Sequence, residues 1–229
     1  MPIDRRAFLL RSGAGIALAG IPNAALAAAT GATLAHPSAS DALATLLEGN
    51  RRFATDTTIC APVTPRRLEL AAGQNPFAIV VSCSDSRVPV ERVFDQPPGS
   101  IFGIRLAGNV VDELGLGSIE YAVASFASPL ILVLGHTACG AVKATVEFVK
   151  EGAAQPGHIQ SIIEAIAPAA RDTESHADWV AAATGRNVHA TIGALALRSK
   201  IVASAAKSGA LTMAGGIYDL HSGKVRIIT

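Results

Sequence analysis

The stretch Phe77–Val88, FAIVVSCSDSRV, joins an apolar run to three side chains that can take part in chemistry. Its first half, Phe77–Ser82, is rich in β-branched residues and predicts a strand buried on both faces of a sheet. Cys83, Asp85 and Arg87 follow on alternate positions. A thiol, a carboxylate and a guanidinium therefore stand at the carboxyl end of a buried strand, where α/β proteins form their sites.

Similar patterns outside this stretch predict an α/β fold. Further apolar runs predict strands at residues 100–105, 129–134, 211–218 and 224–228. Helical spacing predicts helices at residues 40–53, 66–72, 115–127, 139–150, 157–170 and 176–207. Strands that alternate with helices imply a mostly parallel central sheet of about five strands flanked by helices. The last two strands, joined by a turn at 219–223, should add an antiparallel edge.

The composition suits one compact domain. Of 229 residues, 50% are hydrophobic, 16% are charged and only 4% are aromatic. This length supports a sizeable core, which Ala, Val, Ile and Leu must fill in place of aromatic rings. Internal repeats and low-complexity linkers are absent from the sequence, so we expect a single domain over residues 28–229.

Residues 1–27 have the features of an export signal. Arg5 and Arg6 precede a mildly apolar stretch at 13–21, and Ala25–Ala27 fits the small-x-small rule for cleavage. The paired arginines are similar to a twin-arginine signal, which predicts a bacterial protein that is periplasmic or otherwise exported. An uncleaved amphipathic N-terminus is the alternative. The apolar stretch is too short for a stable membrane span, and none is expected in the mature protein.

The charge balance argues against nucleic acid as a partner. Cleavage after residue 27 would remove three arginines and one aspartate, which leaves sixteen basic and seventeen acidic residues. The remaining chain has no basic run and no patch that combines aromatic and basic residues. A protein that binds nucleic acid normally needs such a feature.

The three cysteines point to a metal site more than to disulfides. An odd number in an exported chain is a poor disulfide framework, and Cys60, in a Thr- and Pro-rich connector, is expected to be a lone, partly buried thiol. Cys83 and the segment Gly135–Gly140, GHTACG, each follow a predicted strand. The two segments should meet at one edge of the sheet, where Cys83, His136 and Cys139 suit tetrahedral Zn²⁺.

Asp85 and Arg87 determine what kind of zinc site this would be. Asp85 is the nearest candidate for a fourth ligand, which would close the site. A guanidinium that binds the carboxylate in a bidentate pair would draw it away and leave the fourth position to water. Either arrangement is compatible with the residues alone. A Cys after a strand is also commonly a small buried hydrophobe, so each half of the pattern is weak by itself.

Together, the segments CSDSR (83–87) and GHTACG (135–140) are similar to those of a β-class carbonic anhydrase. The resemblance extends from about Leu43 to Ile228. It implies that Cys83, His136 and Cys139 bind zinc, and that Asp85 and Arg87 hold the metal-bound hydroxide. The implied activity is that of a carbonic anhydrase (carbonate dehydratase). It is the zinc-dependent, reversible hydration of CO₂ to bicarbonate and a proton, by attack of the zinc-bound hydroxide.

The resemblance also implies a substrate pocket. Gln74, Phe102 and Tyr121 match positions that line the CO₂ and bicarbonate pocket, often from the neighbouring subunit, and Gly140 matches a glycine beside the substrate. The protein should therefore be a homodimer or a dimer-based homo-oligomer. Ala107 departs from the residue found in many members, which leaves the pocket wall less well defined.

Two other functions, one of them noncatalytic, are compatible with the same residues. Related folds hydrolyse carbon disulfide or carbonyl sulfide, and a noncatalytic zinc-binding protein would keep Asp85 on the metal.

Arg105 and Asn109 are expected to fix the loop and subunit contacts, and Trp179 to take part in packing. The remaining histidines, expected to be surface or capping residues, are His36, His158, His176, His189 and His221.

Overall fold

One sheet of five strands lies at the centre of the computed structural model, which describes residues 35–59, 63–152 and 154–229. The strands are β1 (Ala78–Ser82), β2 (Ile101–Arg105), β3 (Leu130–His136), β4 (Thr212–Tyr218) and β5 (Val225–Ile227). Their order is β2-β1-β3-β4-β5, with parallel pairing up to β4 and antiparallel pairing between β4 and β5. This confirms the predicted mostly parallel sheet with an antiparallel edge.

Helices cover both faces of this sheet. They are α1 (Ala39–Ala54), α2 (Val63–Leu70), α3 (Val90–Val93), α4 (Glu113–Phe126), α5 (Gly140–Glu151), α6 (Ile159–Arg171), α7 (Trp179–Arg198) and α8 (Lys200–Lys207). A short 3₁₀ helix at Ala107–Asn109 follows β2. The helix α3 and the 3₁₀ helix are too short to give a periodic pattern, and the sequence did not predict them.

The helix predicted at 176–207 is two helices separated at Ser199. The backbone of Ser199 is extended, with φ −116° and ψ 115°. Its hydroxyl oxygen accepts a hydrogen bond from the N–H of Val202 at 3.1 Å and caps α8. The same hydroxyl donates to Glu120 on α4 at 2.7 Å. The prediction of one helix was wrong because serine competes with the helix backbone and favours caps.

The core has two layers because β1 and β3 are buried on both faces. Ile79 and Val81 contact the layer that contains α4, α7 and α8. Ala78 and Val80 face the other layer, which contains α1 and α3. Successive side chains of a strand point to opposite faces, so a continuous apolar run serves both layers.

Polar contacts attach α1 to the rest of the molecule. The amide of buried Asn50 donates to the carbonyls of Val93 and Gly223, at 3.1 and 2.8 Å. Nearby, the guanidinium of Arg52 donates to the carboxylate of Asp95 at 2.6 Å, and the Asp95 side chain is only 1% exposed. These contacts fix the register of α1 against the sheet.

All described residues belong to one compact unit. The predicted export signal at 1–27 and the thiol of Cys60 lie outside the described residues. Among the helices that are described, none has the length and apolar character to cross a membrane.

Candidate metal centre

The ends of β1 and β3 bring three metal-binding side chains together. Cys83 directly follows β1, and His136 is the last residue of β3. A turn with Ala138 at φ 53° then places Cys139 immediately before α5. The ligand atoms of the two cysteines and the histidine all lie within 4.8 Å of one another. Cys83, His136 and Cys139 are 4%, 0% and 1% exposed, so the cluster is buried.

The imidazole of His136 is oriented as a metal ligand. Its Nδ1–H donates to the carbonyl of Thr137 at 2.9 Å, because a carbonyl can only accept. The Nε2 atom is buried and has no hydrogen-bond partner among the described residues. A second hydrogen bond that fixes the tautomer is typical of histidines that bind metals. Two thiolates and one imidazole nitrogen are a donor set that zinc favours, so the residues fit this ion.

Neighbouring groups stabilise the negative charge of Cys83. The adjacent thiol of Cys139 contributes most, the imidazole of His136 contributes next, and the backbone N–H groups of Asp85 and Gly108 donate to Sγ at 3.4 and 3.2 Å. Together they lower the pKa of Cys83. The pKa of Cys139 is raised, first by the neighbouring sulfur of Cys83 and then by burial. A divalent cation between the sulfurs would stabilise both thiolates.

Asp85 is held by Arg87 in a bidentate pair. The Nε–H and Nη2–H groups of Arg87 donate to Oδ1 and Oδ2 of the carboxylate, at 2.9 and 2.7 Å. The backbone N–H of Arg87 donates to Oδ1 as well, at 2.9 Å. These bonds hold the pKa of Asp85 well below its usual range. The carboxylate Oδ2 lies 3.9 Å from His136 Nε2. The carboxylate of Asp85 therefore faces the three ligand atoms while it remains bound to Arg87.

Arg105, the last residue of β2, supports the loop that carries these groups. Its Nε–H donates to the carbonyl of Cys83 at 3.2 Å, and its Nη2–H donates to the carbonyl of Asp85 at 2.7 Å. The expectation that Arg105 fixes this loop is confirmed. Asn109 is buried, and its carbonyl accepts a bond from Thr191 at 3.3 Å, which fixes the loop after β2.

Of the four residues expected to contact substrate, only Gly140 lies beside the cluster. It follows Cys139 directly, and an added Cβ there would meet nothing within 4 Å. Phe102 pairs with Ile79, four residues before Cys83, which corresponds to a distance of about 13 Å along the strand. Its ring packs instead against Tyr121, at 6.3 Å between centroids.

Gln74 and Ala107 occupy two surface depressions. Gln74 is exposed and lines a depression of about 370 Å³ together with residues of α2 and Gly99. Ala107 lines a cleft of about 470 Å³ beside the loop after β1, together with Ser84, Arg105 and Ile162. Within one chain, therefore, Gln74, Phe102 and Tyr121 lie apart from the metal cluster.

Of the described histidines, only His136 belongs to the group of ligand atoms, and Trp179 packs against the apolar cluster around the two cysteines. The ring of His36 is half-buried, and its Nε2–H donates at 2.7 Å to the carbonyl of Phe126, the last residue of α4, so His36 caps the end of this helix, one of the two roles expected for it. The indole N–H of Trp179 donates to the carbonyl of Ala170 at 2.7 Å, and the ring packs beside α5 and α6. The expected packing role of Trp179 is confirmed.

Sequence reasoning missed two residues next to the cluster. Gly108 donates to Cys83, and Asn187 on α7 donates to the carbonyl of Gly108 at 2.7 Å. They belong to no recognisable motif and are 79 residues apart. One sequence feature could have identified Asn187: it lies on the same helix face as apolar Val188 and Leu195. A polar side chain that is buried on such a face requires a hydrogen-bond partner.

These features define an α/β protein with a buried cysteine–histidine–cysteine cluster, capable of holding a metal ion, at the carboxyl edge of its sheet. The family profile described as carbonic anhydrase matches residues 78–225. Carbonic anhydrase 2 of Mycobacterium tuberculosis is 39% identical over 188 residues, which cover 78% of this chain and 87% of that protein. The carbonic anhydrase of Mycolicibacterium smegmatis is 38% identical and covers 80% of this chain and 89% of its own length.

Similar solved structures belong to the same family. The β-carbonic anhydrase of Coccomyxa, in complex with acetazolamide, is 27% identical with a TM-score of 0.63, and the match covers 81% of this chain and 86% of that one. The β-carbonic anhydrase CafA of Aspergillus fumigatus is 28% identical with a TM-score of 0.65, covering 82% of this chain and 89% of that one. The chain belongs to the β-class carbonic anhydrase family, and it is an enzyme of that family.

Proposed function

We propose that the protein binds Zn²⁺ through Cys83, His136 and Cys139 and catalyses the reversible hydration of CO₂ to bicarbonate and a proton. The observation that carries this proposal is the pairing of Asp85 with Arg87 beside a buried cluster of three ligand atoms. Zinc in such a site lowers the pKa of bound water and so supplies a nucleophile near neutral pH.

Asp85 orients the reacting water in this proposal and does not supply a proton. Arg87 keeps the carboxylate ionised, so at neutral pH its oxygens can only accept hydrogen bonds. The remaining acceptor capacity of Oδ2 faces the cluster, where it can accept from one O–H of a reactant and leave the other side of that oxygen free to attack. The proton that the reaction releases must pass to buffer or to another group.

The same pairing supports catalysis over a purely structural metal site. A structural zinc ion normally has four protein ligands, whereas a catalytic one keeps an open position. With both oxygens of Asp85 bound by Arg87, three protein ligands remain. This favours the enzyme over the noncatalytic zinc-binding alternative.

The ligand charges lead us to expect higher activity at alkaline pH. Two thiolates cancel the charge of Zn²⁺, whereas three neutral imidazoles would leave it at +2. The metal should therefore acidify water less than in a three-histidine site. Arg87 partly offsets this, but its charge is already paired with Asp85.

Stopped-flow CO₂ hydration on zinc-loaded protein across neutral to alkaline pH tests the proposal. We expect a hydration rate that rises with pH and is proportional to zinc content. The Cys83→Ser variant is the control and should lose both the bound zinc and the hydration rate. If no rate exceeds that of buffer at alkaline pH, the proposal is wrong. Carbon disulfide and carbonyl sulfide as substrates in parallel would then identify the hydrolase alternative.

We further propose that the active enzyme is a homodimer or a dimer-based assembly. Gln74, Phe102 and Tyr121 could reach a substrate at the metal only from a neighbouring subunit, and Tyr121 is 55% exposed in the single chain. Light scattering on the purified protein measures the assembly. Tyr121→Asp should lower both the measured mass and the hydration rate, and a fully active monomer would contradict the proposal.

Export by the twin-arginine route is also a proposal. Its support is the pattern at residues 1–27 in the sequence alone. Fractionation of bacterial cells that express the full chain should place the protein in the periplasm. Replacement of both Arg5 and Arg6 by Lys should retain it in the cytoplasm, and equal export of both forms would contradict the proposal.

A further inference from the structure

A buried amide on α7 lies behind the metal cluster. Asn187 is 3% exposed, and its Nδ2–H donates to the carbonyl of Gly108 at 2.7 Å. A buried polar side chain is costly unless it is hydrogen-bonded, so this bond fixes the loop after β2 against α7.

Gly108 connects Asn187 to the cluster. Its N–H donates to Sγ of Cys83 at 3.2 Å, while its carbonyl accepts the bond from Asn187. The backbone of Gly108 has φ 67°, a conformation that favours glycine. An added Cβ would lie 2.5 Å from Cδ1 of Ile166 and 3.2 Å from Cβ of Ala141. Packing and backbone geometry therefore leave this peptide little freedom, and Asn187 supplies the one side-chain hydrogen bond to its carbonyl among the described residues.

We infer that Asn187 is a positioning residue, which holds the N–H of Gly108 on the Cys83 sulfur and so tunes that sulfur as a metal ligand. This inference rests on the proposed metal site. Groups that orient metal ligands from behind commonly change metal affinity 10- to 100-fold when they are replaced. Asn187 does not touch the cluster, so its effect must pass through Gly108.

The test compares Asn187→Asp with Thr191→Val in the full enzyme loaded with Co²⁺. Aspartate keeps the size of the side chain, and at a pH where its carboxyl group is ionised it presents only acceptor oxygens to the Gly108 carbonyl, which removes the bond. Thr191, one turn further along α7, is 7% exposed and donates to the carbonyl of Asn109 at 3.3 Å. Its replacement by valine therefore removes a buried bond to the same loop without touching Gly108.

Two quantities are measured for each protein: Co²⁺ affinity by competition with a chelator, and the sulfur-to-cobalt charge-transfer band. For Asn187→Asp we expect an affinity loss of about tenfold or more. The band should move to longer wavelength, because a thiolate that loses a hydrogen bond has a higher-energy lone pair. Thr191→Val should leave the band in place and reduce affinity far less.

The outcomes separate this inference from the proposed function. Absence of a sulfur-to-cobalt band in the wild-type protein would overturn the metal site itself, and with it the inference. A wild-type band with an unmoved Asn187→Asp band, whatever the affinity, would overturn only the role of Asn187. Equal shifts in both variants would do the same.

A measurement on the unmutated enzyme guards against a variant that fails to fold. When the protein is loaded with ¹¹³Cd, the amide proton of Gly108 should show scalar coupling to the metal through the hydrogen bond to Cys83. Absence of this coupling, while Cd binds, would contradict the inference.

Discussion

Asp85 is the residue on which the proposed chemistry depends most directly. Its carboxylate accepts three hydrogen bonds from Arg87 and faces His136 Nε2 at 3.9 Å. We predict that Asp85→Asn retains zinc and lowers CO₂ hydration by about 10²-fold or more, because an amide group can present a donor where the carboxylate only accepts. Zinc content by elemental analysis and stopped-flow rates check this. An unchanged rate at unchanged zinc content would remove Asp85 from the mechanism.

Arg105 gives a second prediction at this scale. It joins the carbonyls of Cys83 and Asp85, so it holds the ligand and the carboxylate at a fixed separation. Arg105→Met should lower kcat about tenfold while the protein stays folded. Arg226→Met, an exposed strand arginine on β5, is the matched control and should keep the full rate. Equal rates for the two variants would show that Arg105 has no positioning role.

At the scale of elements, the ion pair between Arg52 and Asp95 is one of the contacts that attach α1. Burial alone would raise the pKa of Asp95, but hydrogen bonds from the N–H of Ile59 and from Arg52 outweigh it, and the pKa is lowered. A carboxyl group whose pKa is lower in the folded state stabilises the fold above its unfolded pKa, about 3.9. That contribution is lost as the pH falls through the folded value.

Asp95→Asn should therefore cost about 2 kcal/mol of unfolding free energy at pH 7 and progressively less below pH ~4. Asn tolerates the positive φ of 46° at this position, so the backbone should not change. Urea unfolding of both proteins at several pH values measures the difference. A cost that is independent of pH would mean that packing, not charge, attaches α1.

For the whole molecule, the metal centre joins segments that are far apart in sequence. Cys83 follows β1, while His136 ends β3 and Cys139 directly precedes α5, so a metal ion would bind the folded state alone. At a zinc concentration 10³ times its Kd, the gain is about 4 kcal/mol, or roughly 10 °C in Tm for a chain of this size. Calorimetry with and without a chelator checks this, and an unchanged Tm would contradict it.

The sequence predicted the sheet and the metal cluster because both depend on local patterns. Apolar runs identified β1 and β3, and the rule that sites lie at the carboxyl ends of parallel strands brought Cys83 and His136 together. What it could not predict depends on contacts between distant segments. Asn187 reads as an ordinary helix residue until α7 is packed against the loop at Gly108. The break at Ser199 likewise depends on Glu120, which lies on another helix.

The metal-ligand cluster and the Asp85–Arg87 pair differ in their exposure to solvent. The three ligand residues are at most 4% exposed, whereas the Arg87 side chain is 55% exposed. Retention of the metal therefore depends on the protein interior, while the state of the carboxylate depends on the surrounding solution. Added salt screens an exposed ion pair far more than a buried one. Rising ionic strength should thus slow turnover at salt concentrations too low to remove the metal. The salt content of the medium would then change the rate of the enzyme without changing its metal content.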